Sequence, residues 1–375
     1  MSQDIPPYQI PPIEDQASPT ISPVPPGAPP LRPSHAQPSR RRRGAGSWIL
    51  LIFGVMALLG SIFLNVILMA MVASDADISF SKGTLRGGKK SQTVAVYDIT
   101  GGIYAEAVMR FSRFHDKIRD DSNVKAVVLR VNSGGGGLSA SDQIHRMVKE
   151  LSDMGKIVVV SMGGVAASGA YYISAPADEI IAERTTITGS IGVVATWLVL
   201  KGTLEKIGVE PVIVKSTNAR GWKDEMSPFR KPGEREIAHI REILDEFQGH
   251  FEQVVRQGRK GRLKTRKRTY TLPTSQGSRT VMVRHSETEP FNGKIYLADE
   301  AISLGLIDRI GYESDAIDRA CELAGLDRPR VVQYTHKKGL MARMLESRTM
   351  PLLSLDAKGL HGLRTPQILL LWRMP

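Results

Sequence analysis

A single serine lies among small residues in the stretch Gly163-Gly164-Val165-Ala166-Ala167-Ser168-Gly169-Ala170. The stretch follows the apolar run 157–160 and precedes two tyrosines. Small neighbours let a peptide backbone approach closely, which an exposed nucleophile requires. A tight helix start in a protein core uses the same residue types. The serine is therefore a catalytic candidate only if the chain also supplies a base and donors for an oxyanion.

A glycine run provides candidate donors. Asn132 and Ser133 are followed by four consecutive glycines, at the end of one predicted strand and the start of a predicted helix. Unobstructed N–H groups beside a helix N-terminus suit an oxyanion hole, and they would also suit a phosphate. No Walker lysine follows, and the spacing is not Gly-x-Gly-x-x-Gly, which disfavours nucleotide binding. A flexible turn is the structural alternative.

The candidate bases are histidines and lysines. His145, His239 and His250 fall within predicted amphipathic helices rather than in loops at strand ends, which disfavours a Ser-His-Asp triad. Two lysines, Lys215 and Lys223, lie in the polar stretch 214–229. A lysine acts as a base only when neutral, so it needs desolvation and hydroxyl partners. Spacing alone does not choose between these two lysines.

Short apolar runs alternate with amphipathic segments through the middle of the chain. The pattern predicts strands over residues 94–99, 124–131, 157–162, 179–183 and 211–215. It predicts helices over 104–119, from an N-cap at Ser139 or Ser141 to Leu151, and over 233–257. This alternation indicates an α/β fold with a largely parallel sheet. Such sheets place their ligand-binding loops at the carboxyl ends of the strands.

The N-terminal region predicts a membrane anchor. Residues 1–47 are rich in Pro, Ser and Gln and read as a disordered tail that ends in four arginines. A transmembrane helix is predicted over 48–73, since 25 uncharged residues (48–72) reach about 37 Å against a hydrocarbon core of about 30 Å. The arginines predict a cytoplasmic N-terminus and an extracytoplasmic, periplasmic domain beyond it. A cleaved signal peptide is the alternative. Residues 74–92 read as a linker.

Charge and cysteine content limit the remaining possibilities. The lone Cys321 excludes an intrachain disulfide framework and a cysteine-based zinc site. The net charge of +12 suggests an anionic neighbour. Residues 256–268 hold eight basic residues and no acidic one, within a predicted insertion over about 256–290. We interpret this tract as a solvated surface loop, with lipid head groups as a second possibility and nucleic acid as the least favoured. The tail 336–375 ends in an apolar run, and the sequence does not show whether this run packs on a partner or on its own domain.

The motifs occur together in an order that resembles a known family. They are Asn132-Ser133 with its glycines, Ala166-Ala167-Ser168-Gly169-Ala170-Tyr171-Tyr172, Thr186-Ile187-Thr188-Gly189-Ser190-Ile191-Gly192, and Lys223-Asp224 with Ser227-Pro228. As a set they resemble the SppA-type signal peptide peptidases, membrane-bound Ser-Lys proteases of the ClpP/crotonase fold, with its repeated ββα/βαβ units. The resemblance covers about residues 93–258 and 291–334.

The resemblance implies roles for particular residues. Ser168 matches the nucleophile, Lys223 the general base, and Ser190 the hydroxyl that orients the lysine. Gly136, with Gly135, matches the oxyanion loop, and the Gly169 amide is a second donor. Three departures are Gly134 where the family usually has proline, Ala170 where glycine is common, and a longer lysine loop.

The resemblance also implies an activity. It is cleavage, by an oligomeric protease domain over 93–335, of residual signal peptides or other small, apolar-rich peptides at the inner membrane, without cofactor or metal. The alternatives are a non-catalytic oligomeric membrane scaffold of the same fold and, more remotely, acyl-CoA chemistry.

Overall fold

The computed structural model describes residues 45–76, 80–276, 279–336 and 367–371. The predicted disordered tail therefore lies almost wholly outside the described residues. Helix α1 spans Ala45–Ala76, and its segment Trp48–Val66 is long and apolar enough to cross a membrane, with a mean hydropathy of 2.5. The described residues up to Asn65 and those from Val66 onward form two separate compact units.

The second unit contains the α/β domain. Its strands are β1 (Phe80–Arg86), β2 (Lys89–Thr100), β3 (Val124–Ser133), β4 (Gly135–Gly137), β5 (Ile157–Ala167), β6 (Glu179–Ala182), β7 (Ile187–Gly189), β8 (Val194–Thr196), β9 (Arg266–Gln276), β10 (Arg279–Glu289), β11 (Ile295–Leu297), β12 (Arg309–Ile310), β13 (Pro329–His336) and β14 (Gln367–Leu371). Its helices are α2 (Ala105–Arg119), α3 (Leu138–Asp153), α4 (Gly169–Ser174), α5 (Lys201–Lys206), α6 (Glu234–Gly258), α7 (Ala298–Ser303) and α8 (Glu313–Leu323).

The main sheet has nine strands and is mostly parallel. Its order is β1-β13-β2-β3-β5-β6-β12, and β7 pairs with the end of β5 and with β11. Only the β1–β13 and β7–β11 pairs are antiparallel. The connections β2-α2-β3, β3-α3-β5 and β5-α4-β6 are βαβ units, so the predicted α/β class with a largely parallel sheet is confirmed.

Alternating side chains of the central strands pack on the two faces of the sheet. Ala95, Val127 and Val160 lie in the larger core with the buried faces of α2 and α3, whereas Val96, Val128 and Val159 pack against α8. Because both faces are covered, these strands read as continuous apolar runs. The same packing fixes the carboxyl ends of β3 and β5 next to each other, where the two candidate loops begin.

Three sequence predictions are wrong in detail. Residues 211–215 form no strand; Val212 and Val214 are 87% and 89% exposed, so their alternation has no partner strand to pair with. Helix α3 is capped by Gly137 rather than by Ser139 or Ser141. The predicted linker 74–92 contains β1, an edge strand with mostly exposed residues that pairs with β13 at the far end of the chain.

The basic tract differs from a uniformly solvated loop. Its first residues complete α6 and its last begin the β9–β10 hairpin. Arg259 is fully buried, with Nη2 at 2.7 Å from Oδ1 of Asp308. Arg266 and Arg268 both bind the carboxylate of Glu289. Much of the positive charge is therefore balanced within the domain by acidic residues that are distant in sequence.

Candidate active site

Ser168 occupies the turn between β5 and α4 in a rarely used backbone conformation. Its φ is 56° and its ψ is −118°, in a region that costs about 1–3 kcal/mol for a residue with a Cβ. The Ser168 N–H donates to the Gly189 carbonyl at 2.8 Å, which holds the turn against the neighbouring strand. The side chain is fully buried, and its Oγ has no hydrogen-bond partner among the described residues. A buried hydroxyl without a partner is costly, so this position is a candidate for a functional role.

Two tyrosines anchor the short helix that follows the serine. The Tyr171 hydroxyl donates to the Leu306 carbonyl at 2.8 Å, and the Tyr172 hydroxyl donates to Oδ1 of Asp142 at 2.9 Å. Both rings are buried. These contacts keep Ser168 at one place at the carboxyl edge of the sheet. Gly169 is the first residue of α4, where amides lack intrahelical partners, so its N–H suits the predicted role of oxyanion donor.

The glycine run forms the short strand β4 beside this turn. Ile103 bridges to it: the Ile103 N–H donates to the Gly135 carbonyl at 3.0 Å, and the Gly137 N–H donates to the Ile103 carbonyl at 2.8 Å. A Cβ on Gly136 would lie 2.0 Å from the Ile103 oxygen, so only glycine fits there. Since polar groups alternate along a strand, the N–H and C=O of Gly136 face away from Ile103.

The two predicted oxyanion glycines differ in availability. The Gly135 N–H donates to Oγ of Ser133 at 3.1 Å, within the loop itself. The Gly136 N–H points away from Ile103, to the side of β4 on which β14 pairs. Of the two glycines, Gly136 therefore has the N–H that is not engaged within the loop, while Gly135, at a φ of 99°, shapes the loop.

Ser190 directly follows β7, the strand that pairs with the end of β5, and so lies beside Ser168. In the parallel β5–β7 pair Ala167 is opposite Gly189, so each serine follows one member of that register pair. Two threonine hydroxyls hold β7 in place, Thr186 donating to the Gly163 carbonyl and Thr188 to the Ala166 carbonyl, each at 2.7 Å. Ser190 is 7% exposed. The structure thus brings the two predicted hydroxyl residues to one place.

Lys223 is not brought to the serines within the described chain. It is exposed and makes no hydrogen bond or ion pair among the described residues, and it lines an apolar pocket with Phe229, Ile240 and Ile243. The histidines do not replace it, because no group reaches the Ser168 Oγ. Among the described residues of one chain, no candidate base lies within hydrogen-bond distance of the Ser168 Oγ.

Lys215, the other lysine of this stretch, is already engaged. Its Nζ binds the Asp224 carboxylate, which also accepts two hydrogen bonds from Arg230. Arg230 in turn binds Glu236, whose carboxylate also accepts the Gly233 N–H at 2.7 Å. An ammonium has no lone pair with which to accept a proton, and an adjacent carboxylate favours the ammonium over the free amine, so a lysine in such an ion pair is a poor base. These contacts favour Lys223 over Lys215, a choice that spacing left open.

The ion-pair network stabilises the segment that carries Lys223. Hydrogen bonds from Arg230, and then from Lys215, hold the pKa of Asp224 far below its usual range. Hydrogen bonds from Arg230 and the Gly233 amide lower the pKa of Glu236 to about 2. A carboxylate with a lowered folded-state pKa stabilises the fold above its unfolded pKa, and this contribution is lost as pH falls through the folded value. The network is therefore complete at neutral pH.

Replacing Arg230 with Gln should lower the melting temperature at pH 7, because both carboxylates lose their main partner. The difference in melting temperature from the unmodified protein should shrink as pH falls from 4.5 towards 2. These are the ordinary pKa of a glutamate and the lowered pKa of Glu236 in the fold. Differential scanning fluorimetry across pH measures it. Arg241→Gln, at an exposed position of α6, is the control. A difference that does not change with pH would contradict the network's role.

Backbone strain coincides with the predicted roles. Among the described residues, the non-glycine residues with positive φ are Ser168, Ser190 and Lys223, at 56°, 49° and 80°. Residues with side chains rarely adopt this region, and such positions concentrate at functional sites. The three residues to which the sequence assigns a nucleophile, a base and an orienting hydroxyl are therefore the ones that carry this strain.

Two features of the site were not predicted from the sequence. Oδ1 of Asn132 accepts the Val165 N–H at 3.2 Å and braces the strand that leads to Ser168, a role that an isolated asparagine before glycines does not reveal. The apolar C-terminal run forms β14 between β4 and β8, next to the same loop. The part of the chain that the structure describes contains no cluster of three or more His, Cys, Asp or Glu residues suited to a metal ion.

Comparisons with known proteins show the family to which the chain belongs. The family model Peptidase family S49 matches residues 150–269, which include Ser168, Ser190 and Lys223. A putative protease of Synechocystis is 32% identical over 241 residues, which are 64% of this chain and 76% of that protein. The chain belongs to peptidase family S49. Within this family it is of the SppA type.

The S49 relatives differ in length from this chain. A putative signal peptide peptidase SppA of Enterococcus faecium is 35% identical over 218 residues, which cover 58% of this chain and only 56% of that protein. A solved membrane-bound stomatin-specific protease in complex with a substrate peptide is 12% identical and covers 68% of this chain and 98% of that one, with a TM-score of 0.35. Because that score is low, the fold class rests on the strand order described above.

Proposed function

We propose that this member of family S49 is a serine endopeptidase in which Ser168 is the nucleophile and Lys223 the general base. The observation that carries the proposal is the Ser168 side chain, buried without a partner in a strained turn between the glycine loop and Ser190. A hydroxyl kept in this way has no structural use, whereas a nucleophile needs fixed geometry and a free Oγ. Family membership supports the same activity.

The proposed reaction assigns one step to each of these groups. Lys223, when neutral, takes the proton of Ser168 as Oγ attacks the peptide carbonyl. The amides of Gly136 and Gly169 stabilise the oxyanion, and the intermediate collapses to an acyl-enzyme as the amine leaves with a proton from the lysine. Water, deprotonated by the same lysine, releases the acid. Ser190 would hold the lysine amine in position.

We infer that the lysine reaches the serine from a second copy of the chain. Lys223 and Ser168 each lack a partner among the described residues of one chain. The segment that leads to Lys223 exposes several large apolar side chains, among them Ile207, Val209, Val212 and Val214. Contiguous exposed apolar residues are typical of an interface. An oligomer would cover them and bring the two halves of the site together.

The substrates we propose are apolar peptides at a membrane, with residual signal peptides as the main class. Helix α1 is consistent with an anchor, with the N-terminus in the cytoplasm and the protease domain outside it. The relative from Enterococcus faecium is named a putative signal peptide peptidase. Contact of the basic hairpin region with lipid head groups remains a prediction, and we assign no nucleic acid and no cofactor.

Covalent labelling tests this function directly. A fluorophosphonate added to the intact oligomer should form an adduct on Ser168. Digestion after labelling, followed by mass spectrometry, locates the peptide that carries the adduct. The fluorophosphonate reacts only with an activated serine, so a non-catalytic scaffold of the same fold would form no adduct. An adduct on a different serine, or labelling that survives Ser168→Ala, would contradict the assignment. Ser174→Ala, at another buried serine of α4, is the control for folding.

A further inference from the structure

Strand β5, which leads to the nucleophile, changes its neighbour on one side part-way along its length. The first part, up to Met162, pairs in parallel with β6. Residues 165–167 pair instead with β7. Ser168 directly follows the second part of β5, and Ser190 directly follows β7. The alignment of the two serines therefore depends on how β5 passes from one neighbour to the other.

A bulge in β5 lies at this change of neighbour. In the pairing with β3, on the other side, β3 advances from residue 131 to 133 while β5 advances from 162 to 166. One residue of β3, Asn132, thus lies beside three residues of β5, Gly163, Gly164 and Val165. Extra residues bend a strand and increase its twist, and bulges are frequent next to active sites, where they redirect a side chain. This bulge (residues 163–165) sets the direction in which β5 reaches the turn of the nucleophile.

Asn132 holds the bulge from the β3 side. Its Oδ1 accepts the Val165 N–H at 3.2 Å. A Cβ on Gly163 would lie 3.2 Å from the Cβ and Cγ of Asn132 and 3.3 Å from Nη2 of Arg130, so the backbone of the bulge lies directly on these two side chains. Arg130 is itself held by a hydrogen bond from its Nη1 to Oγ of Ser161 at 3.1 Å. The side chain of Asn132 therefore binds the bulge on a supported surface.

Thr186 holds the bulge from the opposite side. It lies one residue before β7, its side chain is buried, and its Oγ1 donates to the Gly163 carbonyl at 2.7 Å. The first and the last residue of the bulge are thus each bound by a side chain, Gly163 by Thr186 and Val165 by Asn132. Loss of either side chain would leave a backbone group without this partner, which favours a different path for the bulge.

We propose that Asn132 and Thr186 are positioning residues for the nucleophile, an inference that rests on the proposed protease function. Oγ of Ser168 has no hydrogen-bond partner among the described residues, so the backbone on either side of it determines where it lies. By fixing the bulge, the two side chains align the end of β5 with β7 and hence Ser168 with Ser190. Neither side chain takes part in the proton transfers, and each acts through the backbone of β5.

Substitutions that keep the side-chain shape test this role. Asn132→Leu removes the acceptor, and Thr186→Val removes the donor. Each should lower kcat for an apolar peptide, and the rate of fluorophosphonate labelling of Ser168, by about 10²-fold with little change in KM, which is the loss expected when a reacting atom is misplaced by about 1 Å. Asn132→Asp retains the acceptor oxygen and Thr186→Ser retains the hydroxyl, so these two variants should keep most of the activity.

Asp178→Ala is the matched control. Oδ2 of Asp178 accepts the Val158 N–H at 2.8 Å, so this variant also removes a side-chain acceptor from an amide of β5, but at the end of the strand away from Ser168. It should lower the melting temperature without a loss of kcat. An equal loss of kcat in Asp178→Ala, full activity of Asn132→Leu or Thr186→Val, or conservative variants no more active than these two, would overturn the positioning role and leave the protease assignment intact.

Hydrogen exchange tests the positioning role without the chemistry. The amides of Val165 and Ser168, bound to Oδ1 of Asn132 and to the Gly189 carbonyl, should exchange faster in Asn132→Leu than in the unmodified protein or in Asp178→Ala. If no form of the protein is labelled, the protease assignment is wrong, and faster exchange would still support the role of Asn132 in fixing the bulge. Unchanged exchange at both amides would overturn that role.

Discussion

Replacing Lys223 with Met is expected to lower peptide hydrolysis by about 10³-fold, within the range attributed to a positioned general base. Methionine retains much of the length of the side chain and removes the amine. Because Lys223 makes no ion pair or hydrogen bond among the described residues, its loss should leave the melting temperature nearly unchanged. Steady-state hydrolysis of a fluorogenic apolar peptide measures the effect, with fluorimetry as the control for folding.

Lys215→Met is the matched control for that substitution. This lysine lies in the same segment but binds Asp224, which keeps its second partner Arg230 when Lys215 is removed. We expect less than about a ten-fold loss of activity, together with some loss of stability. A large loss with Lys215→Met and none with Lys223→Met would reverse the assignment of the base.

A third substitution separates a base from a mere positive charge. Arginine stays protonated at any accessible pH, so Lys223→Arg keeps the charge but cannot accept the serine proton. It should be as inactive as Lys223→Met. Recovery of activity with arginine would show that the residue acts only through its charge, and the proposed mechanism would then be wrong.

The fold was predictable where local patterns decide structure. The apolar runs that became β2, β3 and β5 are buried on both faces, so their residue types identify them without knowledge of their partners. The same reasoning failed for residues 211–215. Val212 and Val214 have the composition of a strand, but a strand also needs a neighbour, and no neighbour can be inferred from the alternation itself.

The site was predictable only in part, for a related reason. Small residues identified the Ser168 turn and the glycine run, because close backbone approach restricts side-chain size. The choice of Lys223 over Lys215 came from resemblance, since the engagement of Lys215 by Asp224 depends on how an irregular segment folds. The pairing of β14 with β4 joins residues more than 200 positions apart, and neither strand encodes its partner.

The ion pairs of the basic tract (residues 256–268) could not be predicted from local sequence either, because their acidic partners are distant in sequence. Arg259 reads as one surface charge among eight, but it is buried against Asp308, which lies 49 positions further along the chain. A run of charged residues is exposed to solvent only when the fold places no opposite charge beside it. The net charge of the tract therefore overstates the field it presents to a membrane.

Two inactive variants, Ser168→Ala and Lys223→Met, are expected to regain activity when they assemble together. If each site takes its serine from one chain and its lysine from another, a mixed oligomer contains some sites in which both are intact. With equal amounts and random assembly this is roughly a quarter of the sites, because each residue is intact in half of the chains. Co-expression of the two chains with different affinity tags, followed by tandem purification, provides the mixed oligomer for the hydrolysis assay.

The control for this experiment pairs Ser168→Ala with a chain that carries both substitutions. That mixture has intact lysines but no intact Ser168, so it should remain inactive. A mixture of the single variants that is no more active than either alone would place Ser168 and Lys223 in the same chain. The exposed segment with Val212 and Val214 would then have to fold back onto its own domain, which hydrogen exchange over residues 207–223 would detect as protection on substrate binding.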